Sequence, residues 1–367
     1  MGGWALAIDF GTSCTTAAVA ADGRIEALAF DGHRRLPSLV YLDDAGGLIA
    51  GREAARRAEA CPERAERTPK RAFVQKTAVR LGDRGVLTAD LVAAVLGEVY
   101  TTALRRQGGT APDRVVLTHP VRWKNARLRL FAAAALRAGL PEPEFVAEPV
   151  AAAVHRTGRE RIDWGRYVAV YDLGGGTFDT TVLRRTLGGF VPIGRPGGDE
   201  RLGGEDLDLA LLEIVGRRAA EAEPAVWERL VSTGNPARGR LRRDVVGAKH
   251  ALSERLSTEV RPEGFAAGLR ITRAEFERQI TPSLRHSVQG LRGTMEAVGL
   301  APADLAALYV TGGSSRVPKI GDLLGRTLDY PPVVQDDSPC VALGALLVAR
   351  PHARRVPWTV PRTGARR

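Results

Sequence analysis

The chain has 367 residues, of which 44% are hydrophobic and 26% are charged, so composition excludes a disordered protein and favours about two globular domains. The formal net charge of +11 raises the question of a nucleic-acid partner. However, five of the 53 basic residues are lysines, and the arginines are spread along the whole chain without interleaved aromatic residues. We therefore do not expect nucleic acid to be the main partner.

Neither a membrane segment nor a disulfide framework is expected. No apolar run approaches the roughly 20 residues that a membrane helix needs. The N-terminal stretch MGGWALAIDFG has no basic region before its apolar part, so it resembles a strand more than a signal peptide. Cys14, Cys61 and Cys340 are scattered singly, without metal-ligand spacing. These features predict a protein of the reducing cytoplasm.

Strands and helices are predicted to alternate along the chain, which indicates the α/β class. Short apolar stretches predict strands at 4–10, 115–118, 167–173, 178–183 and 307–311. Apolar residues at three- and four-residue spacing predict helices at 89–106, 125–138 and 205–218. Thr88 is placed to cap the first of these helices, and Asp90 lies in its first turn.

One sequence motif occurs twice, about half a chain apart. AIDFGTS at 7–13 and YDLGGGTFD at 171–179 both run from an apolar strand through Asp and a glycine turn to Thr. Two halves that open in the same way predict a duplicated fold. We expect two lobes that face one ligand across a cleft.

The glycine turns predict a phosphate site. Glycine permits positive φ and has no Cβ to keep a ligand away, so such a turn can direct several amides at one anion. The adjacent Asp residues would repel phosphate unless a divalent cation intervenes, which points to Mg²⁺. The alternative is an ordinary hairpin turn. Three glycines followed by a second Asp exceed what a hairpin needs, whereas Asp9–Gly11 alone leaves that alternative open.

Several segments, in order, resemble the ATPase module of the 70-kDa heat-shock chaperones (DnaK type), within the actin-like ATPase superfamily. DLGGGTFD at 172–179 and AIDFGTS at 7–13 are similar to the two phosphate loops of that family. The other matching segments are PKR (69–71), VVLTHPVRWKNARLRLFAAAALRAGL (115–140), AEPVAAAVHRTG (147–158), RLGGEDLD (201–208) and VTGGSSRVPKI (310–320). The resemblance covers about residues 5–348. It implies a duplicated actin-like (ribonuclease H-like) α/β fold with two lobes around a nucleotide cleft.

The resemblance also implies roles at the phosphate end of an ATP/ADP site. Asp9, Asp172 and Asp179 would hold Mg²⁺, mostly through water. Lys70 would meet the terminal phosphate, and Glu148 and Asp172 would orient or deprotonate the attacking water. Without the family, Lys70 would be a solvated residue and Glu148 a first-turn charge. Hydroxyls, amides and the nearby helix start would come from Gly11, Thr12, Ser13, Gly174, Gly175, Gly176, Thr177, Gly203, Gly204 and Glu205.

The nucleoside end departs from the family pattern. On a helix predicted through 241–257, Lys249 and Ser253 match the family, but Val246 replaces an acid and His250 replaces an arginine. The segment on the other side of the predicted nucleoside site resembles the family, and it contains Gly312, Gly313, Ser314 and Arg316. The Arg316 guanidinium would stack on the base. A family Asp aligns with Ser338, with Asp336 and Asp337 as substitutes. The choice of base and the affinity are therefore left open.

The predicted organisation is a first lobe over 1–165 and a second lobe over 166–348. Their outer subdomains are expected at about 39–110 and about 205–283. Residues 349–367 are expected to form a basic tail rich in Pro and Arg. A peptide-binding domain after the ATPase module, usual in the family, is not expected from this sequence.

The predicted function is a heat-shock-chaperone-like protein that binds ATP with Mg²⁺, hydrolyses it slowly and acts as a conformational switch. Its partners would be ATP and an unidentified co-chaperone or other protein. One alternative is a small-molecule kinase of the same superfamily, which would need an acceptor pocket. Another is a filament-forming scaffold or a sensor that binds nucleotide without hydrolysing it.

Overall fold

The structure is a computed structural model that describes residues 3–157, 161–232, 235–328, 333–334 and 339–349. Its strands are β1 (Ala5–Asp9), β2 (Cys14–Ala21), β3 (Arg24–Ala27), β4 (Leu36–Pro37), β5 (Val40–Leu42), β6 (Leu48–Ala50), β7 (Ala65–Glu66), β8 (Ala78–Leu81), β9 (Arg84–Leu87), β10 (Arg114–His119), β11 (Pro143–Ala147), β12 (Tyr167–Leu173), β13 (Phe178–Thr186), β14 (Gly189–Asp199), β15 (Ser257–Val260), β16 (Leu269–Thr272), β17 (Leu305–Thr311) and β18 (Val333–Val334). Its helices are α1 (Gly51–Ala60), α2 (Pro69–Gln75), α3 (Thr88–Arg106), α4 (Asn125–Arg137), α5 (Glu148–Thr157), α6 (Gly204–Ala222), α7 (Pro224–Val231), α8 (Ala237–Glu254), α9 (Arg273–Glu296), α10 (Pro318–Leu328) and α11 (Cys340–Val348).

Two central sheets have the same topology. In the first sheet the strand order is β11-β10-β1-β2-β3, with β4 also paired to β2, and in the second it is β18-β17-β12-β13-β14. In each sheet the opening strand pairs antiparallel with the next strand and parallel with a later one. This repeated order confirms the predicted α/β fold with duplicated actin-like lobes. We name the lobe on each sheet the first and second lobe; the residue boundaries given above for them remain a prediction.

Each lobe has its own apolar core. In the first lobe, α3 and α4 cover one face of the sheet, and Leu6, Ile8 and Phe131 are fully buried between them. In the second lobe, α6, α8, α9 and α10 pack around a core that includes Tyr171 and Phe178. The Tyr171 hydroxyl is hydrogen-bonded to Ser287 Oγ at 2.6 Å, so its polar end is satisfied inside that core.

Helix α5 connects the two lobes. Ala151 and Ala152 pack with α11 against the first sheet, whereas Ala153 packs against strands of the second sheet. The contact between α5 and α11 is close because Gly344 has no side chain. A Cβ at Gly344 would lie 1.9 Å from the carbonyl oxygen of Ala151. The helix that connects the lobes is therefore tightly packed against α11.

We predict that Gly344→Ala destabilises the protein. The added methyl group would meet backbone rather than a movable side chain, so the two helices must separate, at a cost of about 1–3 kcal/mol. Gly325→Ala is the matched control, since Gly325 is also inside a helix and a Cβ there would meet nothing within 4 Å. That control should be neutral or slightly stabilising. Equal unfolding midpoints for the two variants in urea would contradict the prediction.

The predicted strands and helices all occur; the strand at 167–173 has the predicted ends, and the others differ by a few residues at one end or both. The helix predicted at 205–218 spans Gly204–Ala222, and the helix predicted through 241–257 spans Ala237–Glu254. The predicted cap at Thr88 is wrong. Leu87 is the N-cap residue, and Thr88 is buried in the first turn, where its hydroxyl donates to the carbonyl oxygens of Lys76 and Thr77. The residue ties α3 to the segment between α2 and β8 and does not cap its own helix.

No helix among the described residues is both long enough and apolar enough to cross a membrane. Within the same part of the chain, Cys14, Cys61 and Cys340 are free thiols. The predicted tail at 349–367 lies outside the described residues except for Ala349.

Candidate nucleotide site

The two predicted phosphate loops face each other between the lobes. The first loop joins β1 to β2, and the second joins β12 to β13. A Cβ at Gly175 would lie 2.0 Å from Ser13 Oγ, and one at Gly176 would lie 2.2 Å from Thr12 Cγ2. The two loops can therefore approach closely because Gly175 and Gly176 have no side chains. Gly11 serves a local turn, because a Cβ there would lie 2.2 Å from the carbonyl oxygen of Cys14.

A third segment packs behind the second loop. The amides of Gly204 and Glu205, at the start of α6, donate to the carbonyl oxygens of Gly174 and Gly175 at 2.9 and 2.8 Å. Gly203 fits here because a Cβ on it would lie 2.6 Å from the backbone of Gly176. The positive end of the 19-residue helix α6 is thus held against the glycine loop.

The turn after β17, which contains Gly312, Gly313 and Ser314, contacts the second glycine loop. The Ser314 hydroxyl donates to the Gly174 carbonyl oxygen at 2.9 Å. Gly312 adopts φ +88°, and a Cβ there would lie 2.6 Å from Asp172 Oδ1, so glycine is required at this turn. Gly313 begins the short 3₁₀ helix that ends at Arg316. The start of α6 and the turn after β17 therefore both pack on the second glycine loop, which faces the first loop.

Lys70 and Glu148 form a buried ion pair beside the loops. Lys70 Nζ lies 2.7 Å from Glu148 Oε1, although the two residues are 78 positions apart. Lys70 is in the first turn of α2, and Glu148 is the first residue of α5. The ring of Trp123 lies 5.8 Å from the Lys70 ammonium group and closes one side of the pair. A cation and a carboxylate are thus both held within reach of the two loops.

Burial dominates the electrostatics of this pair. It raises the pKa of Glu148 to about 7, with further contributions from the carboxylates of Asp9 and Asp179 and an opposing one from Lys70. Burial alone would lower the pKa of Lys70, but Glu148 and Asp9 more than offset it and raise that pKa. Lys70 therefore stays protonated, while Glu148 can exchange a proton near neutral pH.

Three carboxylates surround the same space. Asp172 and Asp179 are directly opposite each other across the β12–β13 hairpin, and Asp9 ends β1, where it accepts a hydrogen bond of 2.8 Å from Thr118. Burial raises the pKa of Asp9, and it raises that of Asp172 well above its usual range, helped by Glu148, Asp179 and Asp9. A divalent cation would relieve the repulsion between these partly buried carboxyl groups.

The donor set fits a cation held through water. Among the described residues, no three His, Cys, Asp or Glu side chains lie close enough together to coordinate an ion directly. Mg²⁺ commonly keeps several waters and takes its other ligands from phosphate oxygens. The three Asp residues therefore suit a hydrated cation bound together with phosphate, and they do not form a metal site on their own.

Two arginines at this site were not singled out from the sequence. The Arg71 guanidinium reaches the second lobe, where it donates to the carbonyl oxygen of Gly176 and lies 3.1 Å from Asp206 Oδ2. Arg122, in the turn after β10, donates to Asp179 Oδ1 and to the carbonyl oxygen of Phe178. A cavity of about 20 Å³, also lined by Thr12, Lys70 and Thr177, lies between them. It has room for about one water.

Two of the residues predicted for the nucleoside end, His250 and Lys249, lie in different surroundings. His250 lies near Arg316, and burial, then the charges of Lys249, Arg316 and Arg35, lower the pKa of His250. The imidazole is therefore neutral at pH 7. By contrast, Lys249 is engaged within the second lobe: its ammonium group donates to the Gly204 carbonyl oxygen at 2.9 Å and pairs with Asp208 at 2.7 Å.

Two other predicted residues are held by local contacts. Ser253 Oγ donates to the Lys249 carbonyl oxygen at 3.3 Å, which is a bond within α8. Glu205 is paired with Arg242 and lies 3.5 Å from the Ser13 hydroxyl. The predicted substitutes Asp336 and Asp337, and Ser338, lie outside the described residues.

Comparison with known proteins identifies the family. The sequence model of the Hsp70 protein family matches residues 70–353. Over 94% of this chain, it is 30% identical to the chaperone protein HscA homolog of Histophilus somni (strain 129Pt) and to the chaperone protein HscA of Pectobacterium carotovorum subsp. carotovorum (strain PC1). Over 87% of the chain, it is 31% identical to the heat shock 70 kDa protein BIP3 of Oryza sativa subsp. japonica.

These alignments span 57%, 58% and 52% of the three relatives, so the chain matches little more than half of their length. The family match, the duplicated sheets and the facing glycine loops agree with one another. The chain belongs to the Hsp70 family.

Proposed function

We propose that this chain binds ATP together with Mg²⁺ between its two lobes, hydrolyses the ATP slowly and uses the nucleotide as a conformational switch. The observation that carries the proposal is the meeting of two like glycine loops next to the Lys70–Glu148 pair. The loops offer amides and hydroxyls, and the pair offers a fixed cation and a carboxyl group. These are the groups that phosphoryl transfer to water requires.

Each residue near the terminal phosphate has a separate task in this proposal. The Lys70 ammonium group would stabilise negative charge on the transferring phosphoryl group, and Thr12 and Thr177 would donate their hydroxyls. Glu148, in its ionised form, would accept a proton from the attacking water. Asp172 is the other candidate for orienting that water.

Asp9, Asp172 and Asp179 are the residues that would hold the cation through its waters. Bound there, Mg²⁺ would supply positive charge to the phosphate oxygens. Burial raises the pKa of Asp9 and that of Asp172, so a cation bound beside them would favour their ionised forms. Nucleotide affinity should therefore depend strongly on the cation.

The proposed switch rests on contacts between the two lobes. Arg71, Arg122 and Glu205 make contacts between the lobes, and the cavity beside the loops measures about 20 Å³. A nucleotide would have to separate these contacts to enter and would then hold both loops itself. Occupancy of the site would thereby set the distance between the lobes.

The proposal is tested by calorimetric titration of the chain with ATP, ADP and GTP at millimolar Mg²⁺ and in EDTA, and by phosphate release from ATP. We expect Mg²⁺-dependent binding of ATP and ADP, and slow release of phosphate without any added acceptor. Failure to bind ATP would overturn the proposal. Binding without turnover would favour a nucleotide sensor, and turnover that needs a sugar would favour a kinase.

We predict that Gly176→Ala weakens ATP binding by about tenfold. The new methyl group would stand between the loops, within 2.2 Å of Thr12 Cγ2, where we propose that phosphate binds. Gly188→Ala is the control, because Gly188 is in the β13–β14 turn and a Cβ there meets nothing within 4 Å. Unchanged affinity in Gly176→Ala, measured by the same titration, would argue against phosphate at this loop.

The biological setting is also part of the proposal. Free thiols at Cys14, Cys61 and Cys340 suit a reducing cytoplasm. A co-chaperone or another protein would respond to the closure of the lobes, as an output of the switch. The relatives named as chaperones extend beyond the matched region, so client binding is not assigned to this chain.

A further inference from the structure

Arg122 reaches from the turn after β10, in the first lobe, to the second lobe beside the second glycine loop. Its Nη2 donates to Asp179 Oδ1 and, at 3.2 Å, to the carbonyl oxygen of Phe178, both at the start of β13 in the second lobe. Its Nη1 lies 3.3 Å from Glu200. The side chains of Arg122 and Asp179 are 22% and 20% exposed, so the pair is largely shielded from solvent.

The space around this guanidinium is kept open by the opposite strand. Gly198, on β14, has φ +136°, and a Cβ there would lie 2.6 Å from Arg122 Nη2. The cavity next to it is lined by cationic and hydroxyl groups together, namely Lys70, Arg71, Arg122, Thr12 and Thr177. Lys70 pairs with Glu148 and Arg71 with Asp206, whereas Arg122 pairs with the two carboxylates at the edge of this cavity, Asp179 and Glu200.

A phosphate is the ligand whose chemistry matches this arrangement. A guanidinium group offers two parallel N–H donors that fit two phosphate oxygens, and such charge-assisted pairs are about twice as strong as neutral hydrogen bonds. Asp179 is also a residue that we propose for the hydrated cation. Arg122 and the cation would compete for its carboxylate, so the arrival of cation and nucleotide would release the guanidinium within the same cavity.

We propose that Arg122 binds the terminal phosphate of ATP, exchanging its ion pairs with Asp179 and Glu200 for that phosphate. The inference rests on the proposed ATP site and identifies the residue that would distinguish ATP from ADP. Because Arg122 belongs to the first lobe and its present partners to the second, the exchange would also link the terminal phosphate to the contact between lobes.

The test compares the affinities of ATP and ADP in the full chain carrying Arg122→Gln, measured by calorimetry at millimolar Mg²⁺. Arg129→Gln is the matched control, since Arg129 is an exposed residue of α4 outside the site. We expect Arg122→Gln to weaken ATP binding by about tenfold, in line with the loss of one charge-assisted contact, and to change ADP binding by less than about twofold. The control should leave both affinities unchanged.

Beryllium fluoride added with ADP provides a second readout, because it mimics a terminal phosphate without turnover. It should tighten ADP binding in the wild type and in Arg129→Gln, but not in Arg122→Gln. Arg122→Lys, which keeps the charge and can keep the pair with Asp179, should show an intermediate effect because an ammonium group lacks the paired donors.

Three results would overturn the inference. Equal weakening of ATP and ADP by Arg122→Gln would mean that Arg122 only holds the lobes together. Unchanged ATP affinity in both Arg122 variants would remove it from the phosphate site. If the wild type does not bind ATP, the proposed function itself fails and this inference with it, an outcome that is distinct from the first two.

Discussion

Lys70→Ala is expected to retain ATP binding and to lower the rate of ATP hydrolysis by at least about 100-fold. The amides and hydroxyls of the two loops would still bind the nucleotide. What is lost is a buried positive charge placed 2.7 Å from Glu148 and next to the cavity between the loops. Phosphate release under saturating ATP measures this loss, and titration with ATP measures binding separately.

Stability must be separated from chemistry in this experiment, because Lys70→Ala leaves Glu148 buried without its partner. Breaking a buried pair from one side costs about 3–5 kcal/mol, whereas replacing both partners by neutral groups costs much less. We therefore expect the double variant Lys70→Met/Glu148→Gln to unfold at a urea concentration closer to that of the wild type than either single variant does. It should remain inactive.

Lys76→Ala is the control for loss of a lysine, since the Lys76 side chain is exposed just after the end of α2. It should hydrolyse ATP at the wild-type rate. Wild-type hydrolysis by Lys70→Ala would contradict the assigned role, because the Lys70 ammonium group would then not be needed for catalysis. Loss of ATP binding in the double variant would show that the pair supports the site and does not act in the chemistry.

The fold could be predicted from the sequence because its strongest signals are local and repeated. The Asp–Gly–Thr device in AIDFGTS and YDLGGGTFD marks the first hairpin of each sheet, and both sheets then follow the same strand order. The ends of elements were less predictable. Thr88 has the chemistry of an N-cap, yet its hydroxyl donates instead to the carbonyl oxygens of Lys76 and Thr77, in the segment between α2 and β8.

The site could be predicted only in part, since its geometry depends on pairs that are distant in sequence. Lys70 and Glu148 carry no local pattern that distinguishes them from a surface lysine and a helix-start acid, and the family resemblance selected them. Arg122 and Arg71 gave no signal of their own because arginine is abundant throughout this chain. The pairing of Lys249 with Asp208 also depends on how α8 packs on α6.

Proton transfer by Glu148 predicts how hydrolysis depends on pH. Glu148 must be ionised to accept a proton from water, and burial together with Asp9 and Asp179 raises its pKa to about 7, against the opposing charge of Lys70. The rate at saturating ATP should therefore rise with pH and level off above about 7, and below that it should fall by about tenfold per pH unit. Lys70 has a raised pKa and stays protonated across this range, so it adds no falling limb.

The dependence of the hydrolysis rate on pH also distinguishes Glu148 from Asp172 as the group that activates water. Burial and the neighbouring carboxylates also raise the pKa of Asp172, so either residue could in principle give a rising limb. In Glu148→Gln the carboxyl group is replaced by an amide of similar shape that does not titrate. If Glu148 is the base, this variant should be slow at every pH, and its residual rate should not change between about pH 6 and 8. A rising limb that persists in Glu148→Gln would assign the proton transfer to Asp172, and Glu148 would then act by fixing the position of Lys70.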